Sequence, residues 1–213
     1  MIKAVIFDMD GLMFDTEVIY KIAWTEAAAK KGYHLSDEQH SYLRGSNGVM
    51  QKGHFIKWYG EDVPFDEIKA DCRAYMVEYL SSHEIPIKRG LFELLNALKE
   101  KGYRIAVATG TQRHNAIRWW KKAGVYDYVD VGVGGDEVLK GKPDPEIFLL
   151  TVQRLNLKPE DCMVLEDSFN GIRAAKTAGC SPVMIPDLEQ PSEEIRNLCD
   201  HIFESLDKVI EIL

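Results

Sequence analysis

Acidic, hydroxyl and amine side chains gather in four short groups: Asp8-Met9-Asp10-Gly11, Thr109-Gly110-Thr111, Lys140-Gly141-Lys142-Pro143 and Glu166-Asp167-Ser168. Brought to one place, Asp8, Asp10, Glu166 and Asp167 crowd four carboxylates into a small volume. Such a cluster repels itself strongly unless a cation compensates it. Oxygen donors with no His or Cys nearby select Mg2+, which keeps several waters and shares its shell with a substrate phosphate. Thr109, the backbone N–H groups of the turn after it at Gly110, and the Lys142 ammonium supply donors and positive charge for phosphoryl oxygens. A carboxylate can attack phosphorus to give an aspartyl phosphate, which splits one hard displacement into two easier ones. The neighbouring carboxyl, Asp10, can protonate the leaving oxygen and then deprotonate the attacking water, a role worth roughly 10² to 10⁴ in rate.

Taken singly, each group has an ordinary structural role open to it. An isolated Asp-x-Asp is usually a turn or a helix start. Thr109 can cap the helix that follows, Lys142 can be a solvated surface charge, and Glu166-Asp167 can be an acid pair at a helix start. The conjunction of all four at matching strand ends carries the chemical reading.

Those ends are set by short apolar runs rich in β-branched residues. KAVIFD stops at Asp8, and similar runs recur at 104–109, 128–133, 162–166 and 181–185. Between them FELLNALKEKG, HNAIRWWKKAG, PEIFLLTVQRLN and NGIRAAKTAG carry apolar residues at helical spacing, and three of these end in glycine. The alternation predicts an α/β fold with a Rossmann-like parallel sheet, and ligands bind such sheets beyond the carboxyl ends of the strands. Residues 16–87 break the pattern with helical stretches such as EVIYKIAWTEAAAKKG and FDEIKADCRAYMVEYLSS, and Ser36 with Gln39 matches a capping box. An insertion of about 70 residues far exceeds the usual βα loop of 2 to 6. A separate small helical domain over 16–87 is therefore expected, inserted into a core of 1–15 and 88–213, with hinges at Asp15-Thr16 and between Pro86 and Gly90.

The chain has 213 residues, 46% hydrophobic and 28% charged, which fits a globular protein and excludes collagen-like, coiled-coil and disordered classes. Its net charge of -8 argues against a nucleic-acid partner and leaves a small anion possible in a locally positive pocket. The start MIKAVIFDMD reaches acids after a short apolar run and lacks a signal-peptide cleavage site, and no run of about 18 apolar residues predicts a membrane span. A cytoplasmic protein acting on a small phosphorylated metabolite is expected, with a monomer as the starting assumption. Cys72, Cys162, Cys180 and Cys199 lie far apart with no C-x-x-C pair, so reduced, mostly buried thiols are expected.

DMDGLMFDTE, VATGT, KGKPDP and VLEDSFNGIRAA, in this order, resemble the four motifs of the haloacid dehalogenase superfamily. The helical insertion resembles the cap of the subgroup that includes β-phosphoglucomutase, phosphoglycolate phosphatase and small sugar phosphatases. The resemblance implies that Asp8 is the nucleophile and that Asp10 is the general acid/base, which also offers its backbone carbonyl to Mg2+. It implies that Thr109 and Lys142 bind phosphate, and that Glu166 and Asp167 are metal-side acids. Asp10 excludes dehalogenase chemistry, because dehalogenases lack that second Asp. A phosphatase and a phosphosugar mutase share all of these residues and differ in the cap. Here Tyr20 stands where β-phosphoglucomutases have a His, and Ser46-Asn47-Gly48 follows Leu43-Arg44-Gly45 where they have a phosphate-gripping Arg. Losing that charge-assisted contact favours a hydrolase, although Arg44 or Lys52 could substitute. Trp24 matches the family and is expected to pack beside substrate.

Other features have simpler readings. Lys140 is expected to be solvated, and one of Trp119 and Trp120 to pack on the sheet. The V-G-V-G-G run at 131–135 lacks the dinucleotide pattern and reads as a strand end with a turn. Thr16 reads as a helix N-cap, Asp15 as a hinge or supporting acid, and His54 and His114 as surface or core residues. A receiver domain also holds phosphate with Asp, Thr and Lys, but its phosphate-accepting Asp lies on a later strand and it has no helical insertion. An idle phosphate-binding relative would not need every motif intact.

Overall fold

The computed structural model describes residues 1–44, 46, 48–187 and 190–213. The chain forms two compact units, one of residues 1–15 with 86–213 and the other of residues 16–85. The first unit is built on a sheet of β1 (Ala4–Phe7), β2 (Arg104–Ala108), β3 (Val131–Val133), β4 (Cys162–Glu166), β5 (Ser181–Met184) and β6 (His201–Ile202). Its order is β3-β2-β1-β4-β5-β6, and every pairing is parallel. A parallel sheet covered on both faces demands unbroken apolar strands, and all four residues of β1 are buried. Because β1 pairs β2 on one side and β4 on the other, with Phe7 level with both Val107 and Leu165, the residues just beyond these three strands become neighbours. This is the point where the strand order reverses and an open sheet leaves its binding crevice.

Two strand expectations needed revision. The apolar run at 128–133 starts as a 3-10 turn, Tyr126–Tyr128, and pairs only from Val131. The Asp130 carboxylate accepts the Ile105 N–H at 2.7 Å, taking the donor that a strand carbonyl would otherwise use. The strand β6 went unrecognised, because two residues are too few to show any periodicity.

The second unit contains α1 (Glu17–Ala29), α2 (Asp37–Leu43), α3 (Gly48–Tyr59) and α4 (Phe65–Ser82). The capping box at the start of α2 is formed: Gln39 N–H donates to Ser36 Oγ at 3.2 Å, and Ser36 N–H to Gln39 Oε1 at 2.8 Å. Thr16 occupies the N-cap position of α1, but its hydroxyl makes no capping hydrogen bond, contrary to expectation. Along α4 the residues Phe65, Ile68, Cys72, Met76 and Leu80 are buried, a stripe at helical spacing. Phe55 of α3 and Phe65 lie 5.2 Å apart between ring centroids.

Around the sheet run α5 (Leu91–Glu100), α6 (Arg113–Lys122), α7 (Glu146–Leu155), α8 (Phe169–Ala178) and α9 (Glu193–Leu198). The buried set Leu91, Leu94, Leu95 and Leu98 gives α5 its inner face, each leucine contributing about 1.5 to 3 kcal/mol by burial. Both Trp119 and Trp120 of α6 are buried, at 4% and 3% exposed, rather than one of them. Trp120 fits over Gly132, where a Cβ would meet its ring at 2.5 Å, and its Nε1–H donates to Met9 Sδ at 3.2 Å. The four cysteines are free thiols, and burial pushes Cys72 up to about 12. Among the described residues no helix is long and apolar enough to cross a membrane.

Candidate active site

The site is assembled where β1, β4 and the loop before α7 meet. Asp8 continues β1 by one residue, its N–H donating to the Leu165 carbonyl at 3.0 Å, and its side chain is buried. The Lys142 ammonium donates to Asp8 Oδ1, to Glu166 Oε1 at 2.5 Å and to the Ala108 carbonyl at 3.3 Å. Its ammonium also stands 5.0 Å from the centre of the Phe148 ring. A lysine so placed links the ends of β1, β2 and β4 through one positive charge.

Glu166 is fully buried, and both of its oxygens are engaged. Oε1 accepts from Lys142, while Oε2 accepts from Ser168 N–H at 3.0 Å and Ser168 Oγ at 2.9 Å. Ser168 Oγ in turn accepts the Gly171 N–H at 3.1 Å and so caps α8. The helix start that holds Glu166 is thus organised by the same hydroxyl that binds it. Asp167, the next residue, packs on Gly11, where an added Cβ would lie 2.3 Å from its Oδ2; Gly11 also has φ +87°, which side chains rarely adopt.

Asp8, Glu166 and Asp167 each present an oxygen such that all three lie within 4.8 Å of one another. An all-oxygen set of this kind suits a hard divalent cation. Burial pushes the Asp8 carboxyl up to about 7, with the Lys142 charge acting against it and the Glu166 and Asp10 charges adding to the rise. Burial alone would lower Lys142, yet the charges of Asp8 and Glu166 outweigh it and hold the ammonium above its ordinary range. The paired carboxylates thus keep Lys142 charged despite its burial.

Asp10 points elsewhere. Its Oδ2 accepts from Thr111 Oγ1 at 2.8 Å and, at a longer 3.4 Å, from Thr109 Oγ1. The side chain of Asp10 is therefore absent from the three-acid cluster, and only Asp8, Glu166 and Asp167 form it among the described residues. The expected crowd of four carboxylates is reduced to three, because the two threonine hydroxyls give the fourth a neutral resting place. Thr109 is fully buried and faces Asp10, and Gly110 is exposed in the turn beyond it.

Trp24 belongs to the helical unit, where it is 6% exposed and its ring lies 5.6 Å from Phe55 and 6.2 Å from Phe65. That packing gives it a core role within this unit. Lys52 is ion-paired with Asp66 at 2.6 Å. Gly45 and Asn47, on which part of the mutase comparison rested, lie outside the described residues. Lys140 is exposed, as expected, with Asp144 at 3.6 Å. His54 stacks on Trp58 at 5.4 Å, and His114 is exposed.

Sequence reasoning assigned no role to Thr111, Ser168 or Gly171. A signal for Thr111 existed, since a hydroxyl two residues after Thr109 is the same-face position of a strand running into a turn. Nothing comparable marked Gly171, whose importance lies in its contact with Glu166.

Similar proteins carry the same framework. A relative named phosphorylated carbohydrates phosphatase, from Thermotoga maritima, is 35% identical over 182 residues, covering 83% of this chain and 82% of its own. A relative named CbbY, from Rhodobacter capsulatus, is 33% identical over 197 residues, covering 87% of this chain and 86% of its own. Among solved structures, CbbY from Rhodobacter sphaeroides in complex with phosphate aligns with a TM-score of 0.85 at 30% identity, covering 98% of this chain and 96% of that one. The match to the haloacid dehalogenase-like hydrolases extends over residues 2–179, through every segment that supplies the acidic cluster and its lysine, and the chain belongs to that family.

Proposed function

We propose that this protein is a Mg2+-dependent phosphatase that hydrolyses a small phosphorylated carbohydrate through an aspartyl phosphate on Asp8. The observation that carries the reading is the division of labour between two carboxylates two residues apart. Asp8 lies in the buried acid cluster against Lys142, while Asp10 rests on threonine hydroxyls. Separate environments for two acids are how one site supplies both a nucleophile and a proton carrier.

Asp8 and Asp167 would hold the cation, with the Asp10 backbone carbonyl beside them as the family resemblance implies. Glu166, whose oxygens are taken by Lys142 and Ser168, would act by fixing that lysine. When bound, the cation supplies positive charge against the phosphoryl oxygens and lets Asp8 stand ionised. An Asp8 carboxylate oxygen attacks phosphorus and the ester P–O bond breaks, with Asp10 giving its proton to the departing alkoxide. Water then attacks the phosphoryl group, Asp10 takes a proton back, and the P–O bond to Asp8 breaks to restore the carboxylate. Lys142 and the turn at Thr109–Gly110 receive the phosphoryl oxygens. Residues 16–85 act as the cap that carries substrate selectivity.

The phosphorylated carbohydrates phosphatase of Thermotoga maritima supports the substrate class, as does a structure of CbbY from Rhodobacter sphaeroides in complex with xylulose-(1,5)bisphosphate, 29% identical. A phosphosugar mutase would use the same core residues. The segment Ser46-Asn47-Gly48, with no arginine, favours hydrolysis. Phosphate release from a panel of sugar phosphates, with Mg2+ and with EDTA, tests the reading. Metal-dependent release that Asp8→Asn abolishes supports it. Interconversion of sugar 1- and 6-phosphates without release would replace it with the mutase.

A further inference from the structure

We propose that Thr111 is the positioning residue for Asp10, fixing the orientation of the proton carrier through one of its oxygens; the inference rests on the phosphatase reading above. Thr111 Oγ1 donates to Asp10 Oδ2 at 2.8 Å, the shorter of the two hydroxyl contacts to that oxygen. The longer contact comes from Thr109 Oγ1, which at the same time accepts the Thr111 N–H at 3.1 Å. Thr111 therefore binds Asp10 directly and also braces the second hydroxyl that reaches it.

Its own backbone is held from the other side. The Gly135 N–H donates to the Thr111 carbonyl at 2.9 Å. The loop that carries Gly135 is tied down by Gly134 N–H to Glu137 Oε2 at 2.8 Å and by Arg113 N–H to Asp136 Oδ1 at 2.7 Å. The chain of contacts thus runs from the loop after β3 through Thr111 to Asp10.

The hydrogen bonds to Oδ2 fix how the carboxyl that carries the transferable proton is turned. In the first step that proton moves from Asp10 to the leaving oxygen as the ester P–O bond breaks. In the second it is replaced by a proton of the attacking water as the P–O bond to Asp8 breaks. A carboxyl free to turn would present the wrong oxygen for part of the time, in both steps.

The test compares Thr111→Val, which keeps the shape and removes the hydroxyl, with Thr111→Ser, which keeps the hydroxyl. Two substrates separate the steps: an alkyl sugar phosphate, whose leaving oxygen needs a proton, and p-nitrophenyl phosphate, whose phenolate does not. For Thr111→Val we expect kcat on the sugar phosphate to fall on the order of 10- to 100-fold with little change in KM, part of the 10² to 10⁴ that acid–base catalysis supplies. With p-nitrophenyl phosphate the same variant forms the phospho-enzyme at close to the wild-type rate. It then turns over slowly, giving a burst of one p-nitrophenol per enzyme. Thr111→Ser restores turnover on both substrates.

Wild-type turnover by Thr111→Val on both substrates overturns the inference and leaves the phosphatase reading standing. So does a loss confined to KM, or an equal loss in Thr111→Ser. A wild-type enzyme that releases no phosphate from either substrate and forms no phospho-enzyme overturns the parent reading and this one with it.

Discussion

Gly171 lies so close against Glu166 that a Cβ on it would sit 1.9 Å from the carboxylate. The first turn of α8 and the anchor of Lys142 therefore share one small space, and a hydrogen atom is all that position 171 can carry. Gly171→Ala must push Glu166 aside, at an overpacking cost of about 1 to 3 kcal/mol. The displaced carboxylate loses Ser168 or Lys142, and Lys142 shifts against Asp8. Misplacement by roughly 1 Å costs on the order of 100-fold in rate. We expect kcat to fall on that scale while urea denaturation shows a folded protein of lower midpoint. Unchanged kcat would mean that Lys142 does not depend on Glu166 for its position.

Magnesium should stabilise the protein more at high pH than at low pH. The Asp8 carboxyl is raised from 3.8 to about 7, burial being the main cause. Between those values the folded chain keeps a proton that the unfolded chain has released. This group therefore contributes most to stability at acid pH, and its contribution falls as pH rises toward 7. A cation that binds the ionised form must displace the proton, so its affinity climbs over the same range, and bound ligand raises Tm by mass action. Thermal melts at pH 5 and pH 8, with and without Mg2+, should show a clearly larger Mg2+ shift at pH 8. A shift equal at both values would disconnect Asp8 from the cation.

How far these features could be read from residues alone depended on whether they are local. The runs ending at Asp8, Thr109 and Glu166 were legible because a buried parallel strand needs unbroken apolar residues, and charges at its end then stand out. The boundary near Asp15 was legible because helical spacing replaces strand spacing there. Partner choice was not: whether the Asp10 side chain joins the other acids or turns to Thr111 depends on how the β2–α6 turn is held by a distant loop. The packing of Trp24 was hidden for a related reason, since its match to a family pattern says nothing about Phe55 and Phe65 closing around it. The two engaged oxygens of Glu166 were not legible either, because they follow from Ser168 and Lys142, which meet only in the fold.

The helical unit should lose stability in mild acid through His40. This residue is buried, and its Nε2 lies 3.0 Å from Thr25 Oγ1. Burial, helped by the Lys21 charge, lowers its pKa below the ordinary histidine value of 6.5. The unfolded chain takes up a proton that the folded one resists, so the contribution is complete above pH 6.5 and declines as pH falls toward the lowered folded value. Equilibrium urea unfolding at pH 7.5 and pH 5.5 should show the wild-type midpoint falling with acid. His40→Gln, which cannot titrate, should show a smaller fall. Equal falls in the two proteins would assign the acid sensitivity elsewhere.

Lys88 ties down the segment that re-enters the sheet unit, and its loss should be felt mainly through Asp187. The ammonium donates to Asp187 Oδ1 at 2.6 Å and lies 3.5 Å from Asp15 Oδ1. Burial alone would lower Lys88, but Asp187 and then Asp15 more than offset this and raise it. Asp187 Oδ2 is itself buried without a hydrogen-bond partner among the described residues, so Lys88 is a large part of what makes that carboxylate tolerable. Removing one member of a buried pair costs more than removing both, because the survivor keeps its desolvation penalty. Lys88→Met should destabilise by up to about 3 kcal/mol, the low end for such a pair, since both side chains retain some solvent contact. Lys88→Met with Asp187→Leu should recover most of that loss, a non-additivity read from the double-mutant cycle in urea. A double variant no more stable than Lys88→Met alone would show that the lysine acts through Asp15 and the re-entering chain, because the buried carboxylate would then have carried none of the cost.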